Sequence, residues 1–262
     1  AGRGYVTMSG SFITKEELEP TPSRIDGVSA AQESELRVYG CRLVQDAAVL
    51  LKVPQICAAT AMVYLQRFYH VASLKEHDVR YTALGALFLA CKAEENARAP
   101  RHVINVFHAL LMPGAPLLEP GSGQYWEMKD GMFRAEMHIL RELGFAVDVV
   151  HPHKYVLNYA SVILRASPAL SQLAWSFAND CLQTSVPVRW GSSPWVVAVA
   201  CLYFAARTLS EGMPEDWYEV FDAPLPEILE IVGELVDLYS LSSCKWTPVA
   251  GAKTPFGLAD VS

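Results

Sequence analysis

Two charged side chains in this sequence stand where the surrounding pattern calls for apolar ones. Lys92 follows Phe88 by four residues and Leu84 by eight, so on a helix it shares their face. Glu136 falls in a row with Met132, Ile139, Leu140 and Leu143, spaced i, i+4, i+7, i+8 and i+11. A charge in such a row needs a partner, because burying it alone is costly. Two arrangements meet that need. The two side chains can pair with each other inside a helical bundle, or both can project from its surface and bond another protein. Spacing alone leaves both open.

Other reactive groups carry less. There is no Walker A run, no G-x-G-x-x-G, no H-E-x-x-H and no G-x-S-x-G, so the familiar phosphate, dinucleotide, zinc and serine-hydrolase chemistries have no motif to stand on. His151 and His153 flank Pro152 with only Asp148 nearby as a further ligand, which reads as linker or helix-start chemistry and not as a metal site. Glu94 and Glu95 are adjacent and so point in different directions on a helix. Glu215 and Asp216 stand ahead of a short helical stretch, where negative charge suits the helix dipole. Six cysteines, at 41, 57, 91, 181, 201 and 244, form no C-x-x-C pair and read as small buried thiols. No catalytic residue, metal or cofactor is expected.

The elements that position these residues are helical. The 262 residues are 52% hydrophobic and 19% charged, enough to bury a sizeable core. No apolar run spans a bilayer, and no secretory signal precedes the first helix. The chain begins without Met and is expected to be a piece of a longer protein. Its net charge is −7, and neither half is basic, which argues against broad phosphate-backbone binding. Apolar periodicity predicts helices over 33–51, 55–69, 78–95, 101–111 and 125–143, with a short turn over Lys15–Leu18 in an otherwise irregular lead-in. Residues 146–150 read as a linker despite weak alternation. Helical periods resume over 153–165, 168–184, 194–210, 215–221 and 225–241. The fold class is all-α.

Setting the chain against itself with an offset of 115 lays the run Ala86-Leu87-Phe88-Leu89-Ala90-Cys91-Lys92 over Cys201-Leu202-Tyr203-Phe204-Ala205-Ala206-Arg207, class for class. The same offset lays 55–69 over 170–184. Two tandem five-helix bundles follow, each with its third and most apolar helix at the centre.

Several runs resemble a known family. Leu89-Ala90-Cys91-Lys92-Ala93-Glu94-Glu95 is similar to the L-A-x-K-x-E-E run of the cyclin box. Tyr64-Leu65-Gln66-Arg67-Phe68 is similar to its second-helix Y-x-x-R-F segment, and 136–145 to its closing E-x-x-x-L-x-x-L-x-F. The runs 20–23, 36–41, 102–108 and 151–154 resemble L-type cyclins, relatives of the K- and T-types. The resemblance divides the chain into a lead-in at 1–32, a first cyclin box at 33–147, a second at 148–243 and a C-terminal tail at 244–262. It implies a nuclear, non-catalytic subunit that binds and activates a cyclin-dependent protein kinase in RNA polymerase II transcription or pre-mRNA splicing. It also implies that Lys92 and Glu136 contact the kinase, with Glu95, Leu140 and Phe145 beside them. No membrane or direct nucleic-acid partner is expected.

The sequence also departs from that family. Where cell-cycle cyclins carry M-R-A-I-L-x-x-W in the first helix, a substrate-docking patch, this chain has Leu36-Arg37-Val38-Tyr39-Gly40-Cys41-Arg42-Leu43. Gly40 and Leu43 replace large groups, so that groove is not expected. Gln66 replaces the Asp that pairs with the first-helix Arg, so Arg37 must find a neutral partner or another acid. Two rival readings stand beside the kinase activator: a cyclin-fold module that binds nucleic acid or peptide without a kinase, and a helical enzyme.

Overall fold

The computed structural model describes residues 19–163, 166–213, 217–241 and 244–253. They divide into two compact units, the first built from residues up to 148 together with 244–253, the second from 149–241. Among the described residues there are helices and no strands, and 146–150 is an extended linker. The turn expected at Lys15–Leu18 and the pair Glu215 and Asp216 lie outside the described residues.

In the first unit a one-turn helix, α1 (Pro22–Ile25), precedes five longer ones: α2 (Ala30–Leu51), α3 (Gln55–Val71), α4 (Val79–Ala93), α5 (Pro100–Leu111) and α6 (Gly123–Glu142). Their starts follow from cap chemistry. Ser29, Asp78 and Ser122 accept hydrogen bonds from the backbone N–H groups of Gln32, Arg80 and Tyr125, satisfying donors that a helix cannot bond internally. Pro100 occupies the first turn of α5, where no N–H is needed. Helix α2 begins three residues ahead of the expected Glu33 because Ser29 caps it.

Every residue from Thr82 to Cys91 on α4 is buried, as is every residue from Cys57 to Tyr69 on α3. A helix apolar all round belongs in a bundle's interior. Helix α4 indeed packs against α2, α3, α5 and α6. Fully burying side chains such as Leu84 and Leu87 contributes roughly 1.5–3 kcal/mol each.

The lead-in is tied down by a polar network. Glu33, almost fully buried on α2, accepts from Thr21 Oγ1 at 2.8 Å and Arg24 Nε at 3.0 Å. Arg37 donates to Gln66 Oε1 at 2.8 Å, to the Gln66 carbonyl at 3.1 Å and, more loosely, to Glu33. Both partners left open by the sequence, a neutral one and another acid, are therefore in use. Burial holds the Arg37 guanidinium below its ordinary pKa, with Glu33 opposing that shift. In that first-helix row Leu36 and Leu43 are buried, and a Cβ on Gly40 would meet Val79 and Leu65.

The second unit holds α7 (His153–Asn158), which runs into a π turn at Tyr159–Ile163, then α8 (Pro168–Cys181), the short α9 (Val186–Arg189), α10 (Pro194–Leu209), a single 3-10 turn at Glu219–Phe221, and α11 (Leu225–Ser240). Helix α10 packs against α7, α8, α11 and the 3-10 turn, so it is the central helix of its bundle. Adding 115 to Val79–Ala93 gives 194–208, one residue inside α10. The fourth position, expected as a helix over 215–221, shows only the 3-10 turn in its described part. Five of the six cysteines are buried free thiols, and burial raises Cys41 and Cys91 to about 12.

Candidate functional site

The site is made where the end of α4 meets the middle of α6. Two glycines allow that meeting. A Cβ on Gly85 would stand 2.7 Å from the Ala135 Cβ and 2.9 Å from the Glu136 backbone nitrogen. A Cβ on Gly131 would collide with the ring of Tyr81. The helices thus approach backbone to backbone. Gly85 lies seven residues, two turns, before Lys92 on the same face of α4.

There the Lys92 ammonium forms an ion pair with Glu136 Oε1. The partners differ in exposure: the Glu136 side chain is 7% exposed and that of Lys92 is 43%. The same ammonium lies 4.5 Å from the centroid of the Phe88 ring, a cation–π contact, and Phe88 meets Phe133 of α6 edge to face at 5.7 Å. The carboxylate is held from below and the ammonium is open to solvent. Of the two arrangements that spacing allowed, the ion pair is present, and it sits at the rim and not in the core.

Glu95 is exposed and left-handed, with φ at +54°. The Asn96 N–H bonds the Cys91 carbonyl at 2.8 Å, closing the end of α4 in the manner of a Schellman cap. Glu94 turns the other way and accepts from Thr60 Oγ1 at 2.7 Å, so the adjacent acids do diverge. At the end of α6 the Phe145 N–H bonds the Leu140 carbonyl at 2.9 Å, and both Gly144 and Phe145 have positive φ. An aromatic residue at φ +62° is strained, yet Phe145 is 66% exposed and returns little burial for that cost. Leu140 is half-buried on the same helix.

The structure thus brings Lys92, Glu136 and Leu140 together on α4 and α6, with Glu95 and Phe145 one turn past the ends of those helices. It adds residues that the sequence reading missed. Phe133 and Met137 are exposed on α6, each one position after a member of the buried row, and Trp126 is exposed seven residues before Phe133. Their signal was present: three large apolar residues at i, i+7 and i+11 on the polar side of an amphipathic helix. His153 bonds Asn179 Oδ1 at 3.0 Å and packs against Trp175.

Residues 9–148 match the family described as "Cyclin, N-terminal domain". Cyclin-L1-1 of Arabidopsis thaliana is 40% identical over 258 residues, which is 96% of this chain and 61% of that protein. Cyclin-L1 of Homo sapiens is 38% identical over 244 residues, 90% of this chain and 45% of that protein. The chain therefore spans about half the length of such relatives. Among solved structures, a chain in the crystal structure of the yeast RNA Pol II CTD kinase CTDK-1 complex has the same fold, with a TM-score of 0.72 over 87% of this chain and 72% of that one at 20% identity. With more than half of its residues inside the family match, the chain belongs to the cyclin family and is like its L-type members.

Proposed function

We propose that the chain binds a cyclin-dependent protein kinase as a heterodimer and activates it, in the nucleus, for RNA polymerase II transcription or pre-mRNA splicing. One arrangement carries this reading: an exposed ammonium over a buried carboxylate, set in a row of exposed apolar side chains on α6 that ends in the strained Phe145. Exposed apolar residues grouped around a fixed charge are the make-up of a docking surface and add nothing to a solitary bundle. The relatives are named L-type cyclins, and the CTDK-1 complex is titled a kinase of the polymerase C-terminal domain.

The chain contributes binding and no chemistry. A kinase whose αC helix favours an inactive placement is shifted toward the active one by whatever binds that form better. Lys92 donates to backbone carbonyls beside that helix, and Glu136 accepts from backbone N–H groups. Glu95, Leu140 and Phe145 surround them, joined by Phe133 and Met137. The ion pair holds both charges in place before the partner arrives, which lowers the ordering cost of binding.

The test is reconstitution with the kinase recovered from cells on the tagged chain. Adding the purified chain raises that kinase's activity, and Lys92→Ala removes most of the gain. ATP turnover by the chain alone, or equal activation by the variant, overturns the reading.

A further inference from the structure

The described part of the expected C-terminal tail, 244–253, packs on the first unit. Residues 244–253 run back across it as a strap without helix or strand, with a turn at 250–251 closed by the bond from the Ala252 N–H to the Val249 carbonyl. Trp246 lies under the Arg80 guanidinium, 4.1 Å from its ring centroid. Gln32 Nε2, in the first turn of α2, donates to Thr247 Oγ1 at 3.3 Å and to the Pro248 carbonyl at 3.1 Å. The Lys253 N–H donates to the Lys75 carbonyl at 2.8 Å, and its ammonium pairs with Glu76 at 2.8 Å. Between these anchors lies Gly251, at φ +70°, where an added Cβ would stand 3.1 Å from the Lys75 side chain.

Two properties of this contact stand out. It is shallow: no strap residue is buried, and its anchors are a few polar contacts and one cation–π contact at the surface. Removing the strap would leave the core of α2, α3 and α4 as it is. It also reads little side-chain information. Two of its hydrogen bonds engage strap main chain, through the Pro248 carbonyl and the Lys253 N–H. Thr247 precedes a proline, which restricts it to an extended conformation. What the surface selects is one aromatic ring followed at two residues by a proline, on a chain already extended.

We infer that the surface formed by Gln32, Lys75, Glu76 and Arg80 is a docking site for extended protein segments with an aromatic residue two positions before a proline, and that residues 244–253 occupy it in cis as a displaceable strap. The surface is separate from the Lys92 and Glu136 patch. Arg80 and Lys92 stand at opposite ends of α4, twelve residues or about 18 Å apart along the helix. A segment docked here leaves that patch free. The inference therefore does not depend on the proposed kinase activation. Strap and incoming segment compete, and the strap has the advantage of a tethered ligand, whose effective concentration is of order millimolar.

The test uses the whole chain and a fluorescent ten-residue peptide of sequence 244–253 with serine in place of Cys244. Anisotropy is recorded against the unaltered chain, Trp246→Ala, and Trp246→Ala combined with Arg80→Ala. The unaltered chain is expected to bind the peptide at least tenfold more weakly than Trp246→Ala, and adding Arg80→Ala returns binding to the weak level. Equal binding by the first two, or binding that survives Arg80→Ala, overturns the proposal. Hydrogen exchange on the unaltered chain supplies a reading that needs no variant. The Lys253 amide is expected to exchange at least a hundredfold faster than amides in the middle of α4. Exchange of both at one rate would make the strap part of the fold and defeat the inference. Kinase affinity separates the two proposals, since Arg80→Ala leaves it unchanged whether or not peptide docking is lost.

Discussion

The two bundles repeat one another most closely at the end of the central helix, and there they also diverge most. The bond from the Asn96 N–H to the Cys91 carbonyl becomes, 115 residues on, the bond from Glu211 to Ala206, and both are made, at 2.8 and 2.9 Å. The left-handed residues Glu95 and Ser210 are related by the same offset. Side-chain chemistry does not follow. Phe88 meets the Lys92 ammonium, whereas Tyr203 stacks on Trp217 at 5.4 Å with planes 11° apart. Lys92 has Glu136 below it, whereas exposed Arg207 has no ion-pair partner among the described residues. The carboxylates of α11 face the other way: Glu230 and Glu234 hold buried Arg189, and Glu227 accepts from the Trp190 indole. A shared backbone is thus compatible with an exposed ion pair in one copy and a closed aromatic cluster in the other. Position within a repeat does not carry a role unless the fifth helix supplies the acid.

The sharpest way to break this contrast is to remove the charge from each copy. Lys92→Ala and Glu136→Ala are each expected to weaken kinase binding about thirtyfold or more, since desolvated interface contacts of a charged group are worth roughly 2–5 kcal/mol. Arg207→Ala is expected to change affinity less than threefold. Calorimetry or surface resonance on the purified complex measures all three. Lys92→Ala leaves the buried Glu136 carboxylate unpaired, so it should also lower melting by several °C, more than Glu136→Ala, which leaves only an exposed ammonium. A larger drop in melting with unchanged affinity would assign the pair to folding alone.

A second contrast is in the helix contacts. The residue matching Gly85 in the second copy is Ala200, fully buried on α10. Gly85→Ala gives the first copy the second's residue, but there the new methyl would press on Ala135 and the Glu136 backbone. Overpacking of that kind costs about 1–3 kcal/mol. A fall in both melting temperature and kinase affinity is expected, because α6 must move away from Lys92. Unchanged melting would mean that the close approach does not position the pair.

Phe145 offers a smaller effect of opposite sign on the two readouts. Glycine tolerates its left-handed backbone without strain, so Phe145→Gly should hold or raise stability, by up to about 1 kcal/mol. Losing an exposed ring from the proposed docking surface should weaken kinase binding severalfold. A stabilised chain that binds less well would place the strain in the service of the surface. Weakening of both would place the ring in the fold.

How much of this was legible in the sequence depends on range. The helices at 55–69, 101–111 and 225–241 declared themselves within a few residues through local periodicity and breakers. Lys92 and Glu136 were visible as charges in apolar rows, because that anomaly is also local. What was missed rests on partners distant in sequence. Helix α1 in the lead-in is one turn long and is held by Glu33 of α2, which no local pattern announces. Helix α9 is signalled by Val186-Pro187, which reads as a break, yet Arg189 is pinned from α11. The strap at 244–253 has no periodicity at all, and its anchors lie some 170 to 215 residues away. The importance of Gly85 and Gly131 appeared only when the facing atoms of Ala135 and Tyr81 were in place.

The least effect is expected from acid, and it should fall unevenly on the two bundles. Burial lowers His70 to about 4, with the Arg37 charge adding to the shift. Burial also lowers His77, which faces His138 at 4.9 Å, and His108, whose Nδ1 is buried without a partner. In the second bundle His153 is lowered, by burial and against the pull of Asn179. A histidine lowered on folding binds more protons when unfolded, so stability rises with pH through the interval between its two pKa values. For His70 the full contribution is present above pH 6.5 and is lost as pH falls toward about 4. With His70, His77 and His108 lowered in the first bundle and His153 in the second, the first bundle should loosen first. Hydrogen exchange at pH 7 and pH 5, corrected for the intrinsic rate, should show protection falling further in α3 and α6 than in α8 and α11. His70→Gln, which cannot take up the proton, should reduce that difference. Equal loss in both bundles would mean that buried histidines do not distinguish them.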